Sequence, residues 1–245
     1  MTDRSTILRE MGLTPIWSLR GAASPSSDVI AEPHRVAPLA IEAPLAPIEP
    51  PALPDPNRAT LIAAMSWDEL IASISHCTAC KLSKTRNKTV PGFGDRAPAW
   101  MVVGEAPGEN EDKQGEPFVG KAGQLLDAML SAVGKKRTQG AFIANVIKCR
   151  PPGNRNPEPD EIAACTPYLK RQIALASPKL LLAAGKFAAQ TLLNRDDTVA
   201  AMRVASGHFS GIPVVVTYHP AYLLRSPLEK SKAWDDLMKA RALAE

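Results

Sequence analysis

Ala99-Trp-Met-Val-Val103 runs directly into Gly104-Glu-Ala-Pro-Gly108, and this junction decides the fold. Five apolar residues without polar alternation form the pattern of a strand buried on both faces. Two glycines and a proline then end the strand and let the backbone turn sharply. The pattern recurs downstream. Ala141-Phe-Ile-Ala-Asn-Val-Ile-Lys148, Leu180-Leu-Leu-Ala-Ala184 and Pro213-Val-Val-Val-Thr-Tyr218 read as three further strands. Helical stretches alternate with them, from about 120 to 133, 159 to 176 and 187 to 193, with a last one over roughly 230 to 243. Upstream, Leu61, Ile62, Met65, Leu70, Ile71 and Ile74 are spaced for a helix. Strands alternating with helices predict an α/β fold, a four-stranded parallel sheet sandwiched between helices in three layers. In such sheets a ligand sits at the carboxyl ends of the strands. The loops after residues 103, 147 and 218 are therefore the places to look for chemistry.

Composition is uneven. Residues 1–60 hold 10 of the 23 prolines and carry five Lys/Arg against seven Asp/Glu, which leaves 24 against 18 for residues 61–245, so the net +4 divides into −2 and +6. The stretch from about Ser24 to Arg58 is Pro/Ala-rich and reads as a semi-stiff, disordered linker rather than a packed element. Before it, Ile7, Leu8, Met11, Leu13, Ile16, Trp17 and Leu19 form a short apolar patch, which reads either as a segment that docks a protein partner or as a terminal piece without a role. The organisation expected is an N-terminal extension over 1–60 and a basic folded domain over 61–245. A positive excess permits a polyanionic partner. No apolar run approaches the roughly 18 residues that suggest a membrane span. The first ten residues put acids and Arg where a secretory signal needs an apolar stretch. The expected location is the cytoplasm, without membrane attachment. No internal repeat is visible and nothing demands an oligomer, so a monomer is expected.

Four cysteines are present: Cys77 and Cys80 in a Cys-x-x-Cys pair, then Cys149 and Cys165. In a reducing compartment disulfides are disfavoured, whereas four thiolates complete the donor set of a metal site. Zinc and an iron–sulfur cluster both accept four Cys. The second pair, fifteen residues apart, lacks the close spacing of a zinc ribbon and tilts the reading toward iron–sulfur. A zinc deaminase needs His-x-Glu and Pro-Cys-x-x-Cys. Neither stands here, since Ser75-His76 precede the pair.

The loop after the first strand offers Gly104, the carboxylate of Glu105 and, further on, Phe118. The second strand brings Asn145, whose amide matches a donor–acceptor pair on a pyrimidine edge. The fourth leads into His219-Pro-Ala-Tyr-Leu-Leu-Arg225. Each has an ordinary structural use on its own: Phe118 as a lid on the core, Asn145 as a capped strand end. It is their convergence on one sheet edge that points to a site.

Together, Gly104-Glu-Ala-Pro-Gly108, Pro117-Phe-Val-Gly-x-Ala-Gly-x-Leu-Leu-Asp127, Asn145-Val-Ile-Lys-Cys-Arg-Pro-Pro152, His219-Pro-Ala-Tyr-Leu-Leu-Arg225 and the four cysteines resemble the family 4, iron–sulfur uracil-DNA glycosylases. The similarity covers about residues 67–240. It implies that Cys77, Cys80, Cys149 and Cys165 hold one four-iron, four-sulfur cluster of structural role, with zinc the lesser alternative. It implies hydrolysis of the N-glycosidic bond of deoxyuridine in DNA, as in base excision repair, with nucleoid DNA as the partner in a bacterial-type cytoplasm. Glu105 would orient water, Phe118 stack on the base, Asn145 read its edge and His219 donate to it. Gly104 would line the pocket, and Leu223, Leu224 and Arg225 would form a wedge and phosphate clamp. Two features depart from the pattern. Ala221 stands where the family often has Ser. The loop Arg150-Pro-Pro-Gly-Asn-Arg-Asn-Pro157 has no His of the kind that traps product covalently in a related group, so turnover is expected. The competing reading is a non-catalytic iron–sulfur module that binds nucleic acid beside a polymerase.

Overall fold

The computed structural model describes residues 56–205 and 207–244. The proline-rich linker and the apolar patch from Ile7 to Leu19 lie outside the described residues. The first helix, α1 (Pro56–Ala64), begins inside the stretch assigned to the extension. The expected helix over Leu61 to Ile74 is two helices, because Ser66 interrupts it. Ser66 caps α2 (Trp67–Ser75), its backbone N–H donating to the Glu69 carboxylate at 2.8 Å in a reciprocal capping box.

The four expected strands are all present and parallel: β2 (Trp100–Gly104), β3 (Ala141–Asn145), β4 (Leu180–Ala184) and β6 (Ile212–Thr217). Among the described residues, two short strands extend the sheet to six, in the order β1-β3-β2-β4-β6-β5. These are β1 (Phe93–Gly94) and β5 (Gly207–Phe209), both antiparallel to their neighbours. Two or three residues carry no periodicity, so sequence pattern does not reveal them. The helices are α3 (Glu109–Gln114), α4 (Lys121–Ala132), α5 (Pro159–Ala176), α6 (Lys186–Leu193), α7 (Val199–Val204), α8 (Pro220–Arg225) and α9 (Lys230–Ala244).

Strand residues feed two cores in alternation. Met101, Val103, Ala144, Leu181, Ala183 and Val216 pack with Leu70 and Ile74 of α2 and Leu169 and Ile173 of α5. Trp100, Val102, Ile143, Leu180, Leu182 and Val215 pack with Leu126 and Leu130 of α4 and Leu237 of α9. Every residue of β2, β3 and β4 is buried. That is why these strands are apolar throughout. Among the described residues no helix is long and apolar enough to cross a membrane.

Leu182 is fully buried at the middle of the sheet, whereas Leu228 is 90% exposed. Leu182→Ala should lower stability by about 2–5 kcal/mol, while Leu228→Ala should stay within about 0.5 kcal/mol. Urea unfolding of the two variants checks the contrast.

Candidate active site

Sheet register makes the first assembly. Gly104 and Asn145 are paired partners at the carboxyl ends of β2 and β3. A Cβ on Gly104 would lie 2.4 Å from Asn145 Oδ1 and 2.7 Å from the Phe118 ring, so only glycine lets the three groups meet. Asn145 is 2% exposed and its Oδ1 has no hydrogen-bond partner. A buried acceptor without a donor is costly and marks a place where a ligand N–H is wanted.

Phe118 adopts a left-handed conformation, φ +55°. For a bulky side chain this costs on the order of 1–2 kcal/mol and must be held by its surroundings. Part of the hold is α4, whose approach depends on Gly123: a Cβ there would fall 1.6 Å from the Phe118 carbonyl oxygen. The Phe118 ring lies 5.4 Å from the His219 ring with 27° between planes. The spacing is that of a stacked pair and leaves no room for a third ring between them. A planar ligand therefore does not stack between the two rings.

His219 follows β6 and caps the first turn of α8. The Ala221 backbone N–H donates to His219 Nδ1 at 3.1 Å, which leaves the proton of the neutral ring on Nε2. Burial, reinforced by the Arg225 charge and opposed by Glu111, pushes the imidazole down to about 4. At neutral pH the ring is an uncharged donor. Burial also raises the Glu105 carboxyl above its ordinary value.

Glu105, Phe118, Asn145 and His219 line one open cleft, and Arg225 stands on its wall. Glu111, Pro151, Asn154, Arg155 and Tyr222 line it too. Residue type and spacing do not mark these five, although Glu111 and the Pro151–Arg155 loop follow β2 and β3 in the chain. Arg155 fixes that loop through a two-pronged pair with the buried Glu161, at 2.9 and 2.6 Å. Of the two leucines expected to form a wedge, Leu223 is 1% exposed and packs in the core, while Leu224 is 43% exposed. One turn of α8 places adjacent residues on different faces, so Leu223 has no surface to insert and the wedge reading narrows to Leu224.

On the α2–α5 side of the sheet, Cys77, Cys80, Cys149 and Cys165 line a single cavity with Arg86, Lys148 and Tyr168. All four are free thiols. Arg86 Nη1 donates to Cys149 Sγ at 3.1 Å, Arg58 Nη2 to Cys77 Sγ at 3.7 Å and the Lys148 backbone N–H to Cys165 Sγ at 3.3 Å. Burial pushes the Cys165 thiol up to about 12 and the Lys148 ammonium down to about 8, the latter opposed by Cys165 and Cys149. Among the described residues no three His, Cys, Asp or Glu side chains close on a single ion. Lys148 Nζ donates to the Asn145 carbonyl at 2.6 Å, so one buried side chain touches both the thiol cavity and the strand end that carries Asn145.

The His219 shift has a thermodynamic sign. The unfolded chain takes a proton near the ordinary value of 6.5 and the folded one only near 4, so stability is lost as pH falls between those values. From pH 7 to pH 5 the loss from this residue should be about 2 kcal/mol. Urea midpoints of wild type and His219→Gln at both pH values check it, because the variant should lack that component.

A family model described as the uracil DNA glycosylase superfamily matches residues 91–238. The type-4 uracil-DNA glycosylase of Archaeoglobus fulgidus is 39% identical over 71% of this chain and 91% of its own length. That of Sulfurisphaera tokodaii is 41% identical over 73% of this chain and 85% of its own. That of Thermotoga maritima is 38% identical over 69% of this chain and 90% of its own. With matches of this extent on an α/β sheet of the expected topology, the chain belongs to the uracil DNA glycosylase superfamily and, within it, to the type-4 uracil-DNA glycosylases.

Proposed function

We infer that this chain hydrolyses the N-glycosidic bond of deoxyuridine in DNA, releasing uracil and leaving an abasic site for base excision repair. The single observation that carries the base specificity is Asn145 Oδ1, a buried acceptor with no donor of its own. Uracil presents N3–H to that oxygen and O4 to the amide N–H. Cytosine offers an acceptor and a donor in the reversed order, so it leaves both Asn145 groups mispaired.

A base inside a duplex is out of reach, so the nucleotide is extruded at a cost of a few kcal/mol. Phe118 stacks on it. As the bond to the sugar lengthens, negative charge grows on uracil, and His219 Nε2–H donates to O2. A neutral donor stabilises a developing anion without having to lose a proton, and one well-placed donor is worth roughly 3–4 kcal/mol. Glu105 orients the attacking water and favours the positive charge on the sugar. Leu224 fills the gap and Arg225 holds a flanking phosphate. The Arg150–Pro157 loop carries no His, which supports release of product over covalent capture.

For the cofactor, the donor set fits an iron–sulfur cluster better than zinc. The four thiols line one cavity, Cys149 and Cys165 lack the close spacing of a zinc ribbon, and Arg58, Arg86 and Lys148 stand where thiolate charge would be offset. Cys77, Cys80, Cys149 and Cys165 would hold a four-iron, four-sulfur cluster, which cross-links α2, the β3 loop and α5 without entering the hydrolysis. A monomer acting on cytoplasmic nucleoid DNA completes the reading, and the 1–60 extension is its site for a protein partner. A non-catalytic module beside a polymerase is not favoured, because the relatives matched over most of their own length are named glycosylases.

Uracil release from a uracil-containing oligonucleotide tests the proposal. Asn145→Ala and His219→Ala should each lower kcat by about 10²–10³ while remaining folded. Wild type that binds DNA yet frees no uracil would remove the hydrolase reading. Chelation of iron from the purified protein should lower its melting temperature and bleach its visible absorbance together. Zinc in place of iron on metal analysis would overturn the cluster assignment.

A further inference from the structure

Phe118 is held in a conformation that its own side chain disfavours, and two ionic groups grip its loop from opposite sides. Arg137 lies in the connection from α4 to β3 and is 16% exposed. Its Nη1 donates to the Pro117 carbonyl at 2.7 Å, and its Nη2 donates to the Phe118 carbonyl at 2.5 Å and the Gly123 carbonyl at 3.4 Å. Asp127 orients the guanidinium, accepting from Nε at 2.5 Å and Nη2 at 3.2 Å. The Arg137 backbone is itself anchored, since its carbonyl accepts from the Asp95 N–H at 3.0 Å. From the cleft side, Glu111 Oε1 accepts from the Val119 and Gly120 N–H groups at 2.9 and 3.4 Å. The cation takes the carbonyls, the carboxylate takes the amides, and Phe118 sits between them.

We propose that Arg137 is a positioning residue for base recognition: its guanidinium, oriented by Asp127, holds the Pro117–Phe118 backbone so that the Phe118 ring stays against Gly104 and beside His219, where it stacks on the extruded uracil. The inference deepens the glycosylase reading and rests on it. The planar fork is essential to the role, because it serves two successive carbonyls and a carboxylate at fixed angles. An ammonium, a point charge on a flexible stem, cannot reproduce that geometry. Arg137 does not line the cleft, so its loss should act on the base and not on the DNA backbone.

The test uses the full, cofactor-loaded chain with Arg137→Lys and Arg137→Gly, assayed below the melting temperature of each. Steady-state kcat and KM on a uracil oligonucleotide are measured, with the inhibition constant of free uracil. Both variants should lose at least tenfold in kcat and bind free uracil at least tenfold more weakly, with KM for the DNA within about twofold. Methylguanidinium added to Arg137→Gly should restore part of the loss and leave wild type unchanged. Either variant folded with wild-type kcat and uracil affinity would overturn the proposal. A loss that merely follows the folded fraction, without rescue, would overturn it as well and leave Arg137 a packing residue. Wild type that releases no uracil is a separate result, directed at the glycosylase reading itself.

Discussion

Everything at the cleft depends on one pairing in the sheet, Gly104 against Asn145 at the ends of β2 and β3. Parallel register puts the two backbones side by side, and the missing Cβ of Gly104 lets Phe118 and the Asn145 amide close over that point. A slip of one residue in β2 would turn Met101 and Val103 into the opposite layer and take Gly104 away from Asn145. The same apolar packing that stabilises the sheet therefore places the base-reading amide. Stability and specificity share a constraint here, and the two buried layers enforce it from both sides.

The thiol cavity attaches to that point through Lys148. A fully buried ammonium with a backbone carbonyl as its hydrogen-bond partner is poorly compensated, and the nearest groups that would carry negative charge are Cys149 and Cys165. Burial is what pushes the lysine down, and Cys165 and Cys149 oppose that shift. Thiolates binding a metal there would turn the same setting into a counter-ion pair. The thiol cavity and the strand end are thus neighbours in space, joined by one buried side chain.

Much of the fold is legible in the chain. Runs such as Trp100–Val103 and Leu180–Ala184 are apolar on both faces because both faces are covered, and alternation with helices allows few topologies. Glu105, Asn145 and His219 are legible as candidates because each stands at or just after the carboxyl end of a strand, and Phe118 because it lies in the stretch between β2 and the next long helix. Other features leave no such trace. Helices α3, α7 and α8 span six residues each, too few for a period to show. The break at Ser66 is written in Ser66-x-x-Glu69, but the apolar spacing on either side overrides it. Leu223 and Leu224 look alike in sequence, and only the turn of α8 against α4 separates a core residue from an exposed one. Nothing local to Arg137 says that its side chain reaches back to Phe118, because that contact exists only once α4 has doubled the chain back.

The two strands that sequence pattern does not reveal have a consequence of their own. An open sheet ends in a row of unpaired amides and carbonyls that invites a strand from another molecule. Here the long parallel strands are all interior, and the outermost positions fall to a two-residue and a three-residue segment. Gly92 and Gly94, at φ +134° and +136°, bend the first of these away from regular extension, and the second pairs over only three positions, one of them opposite Pro213, which has no backbone N–H. A foreign strand finds too short a template to zip onto. The sheet is thus capped against edge-to-edge aggregation by segments that contribute almost nothing to the site.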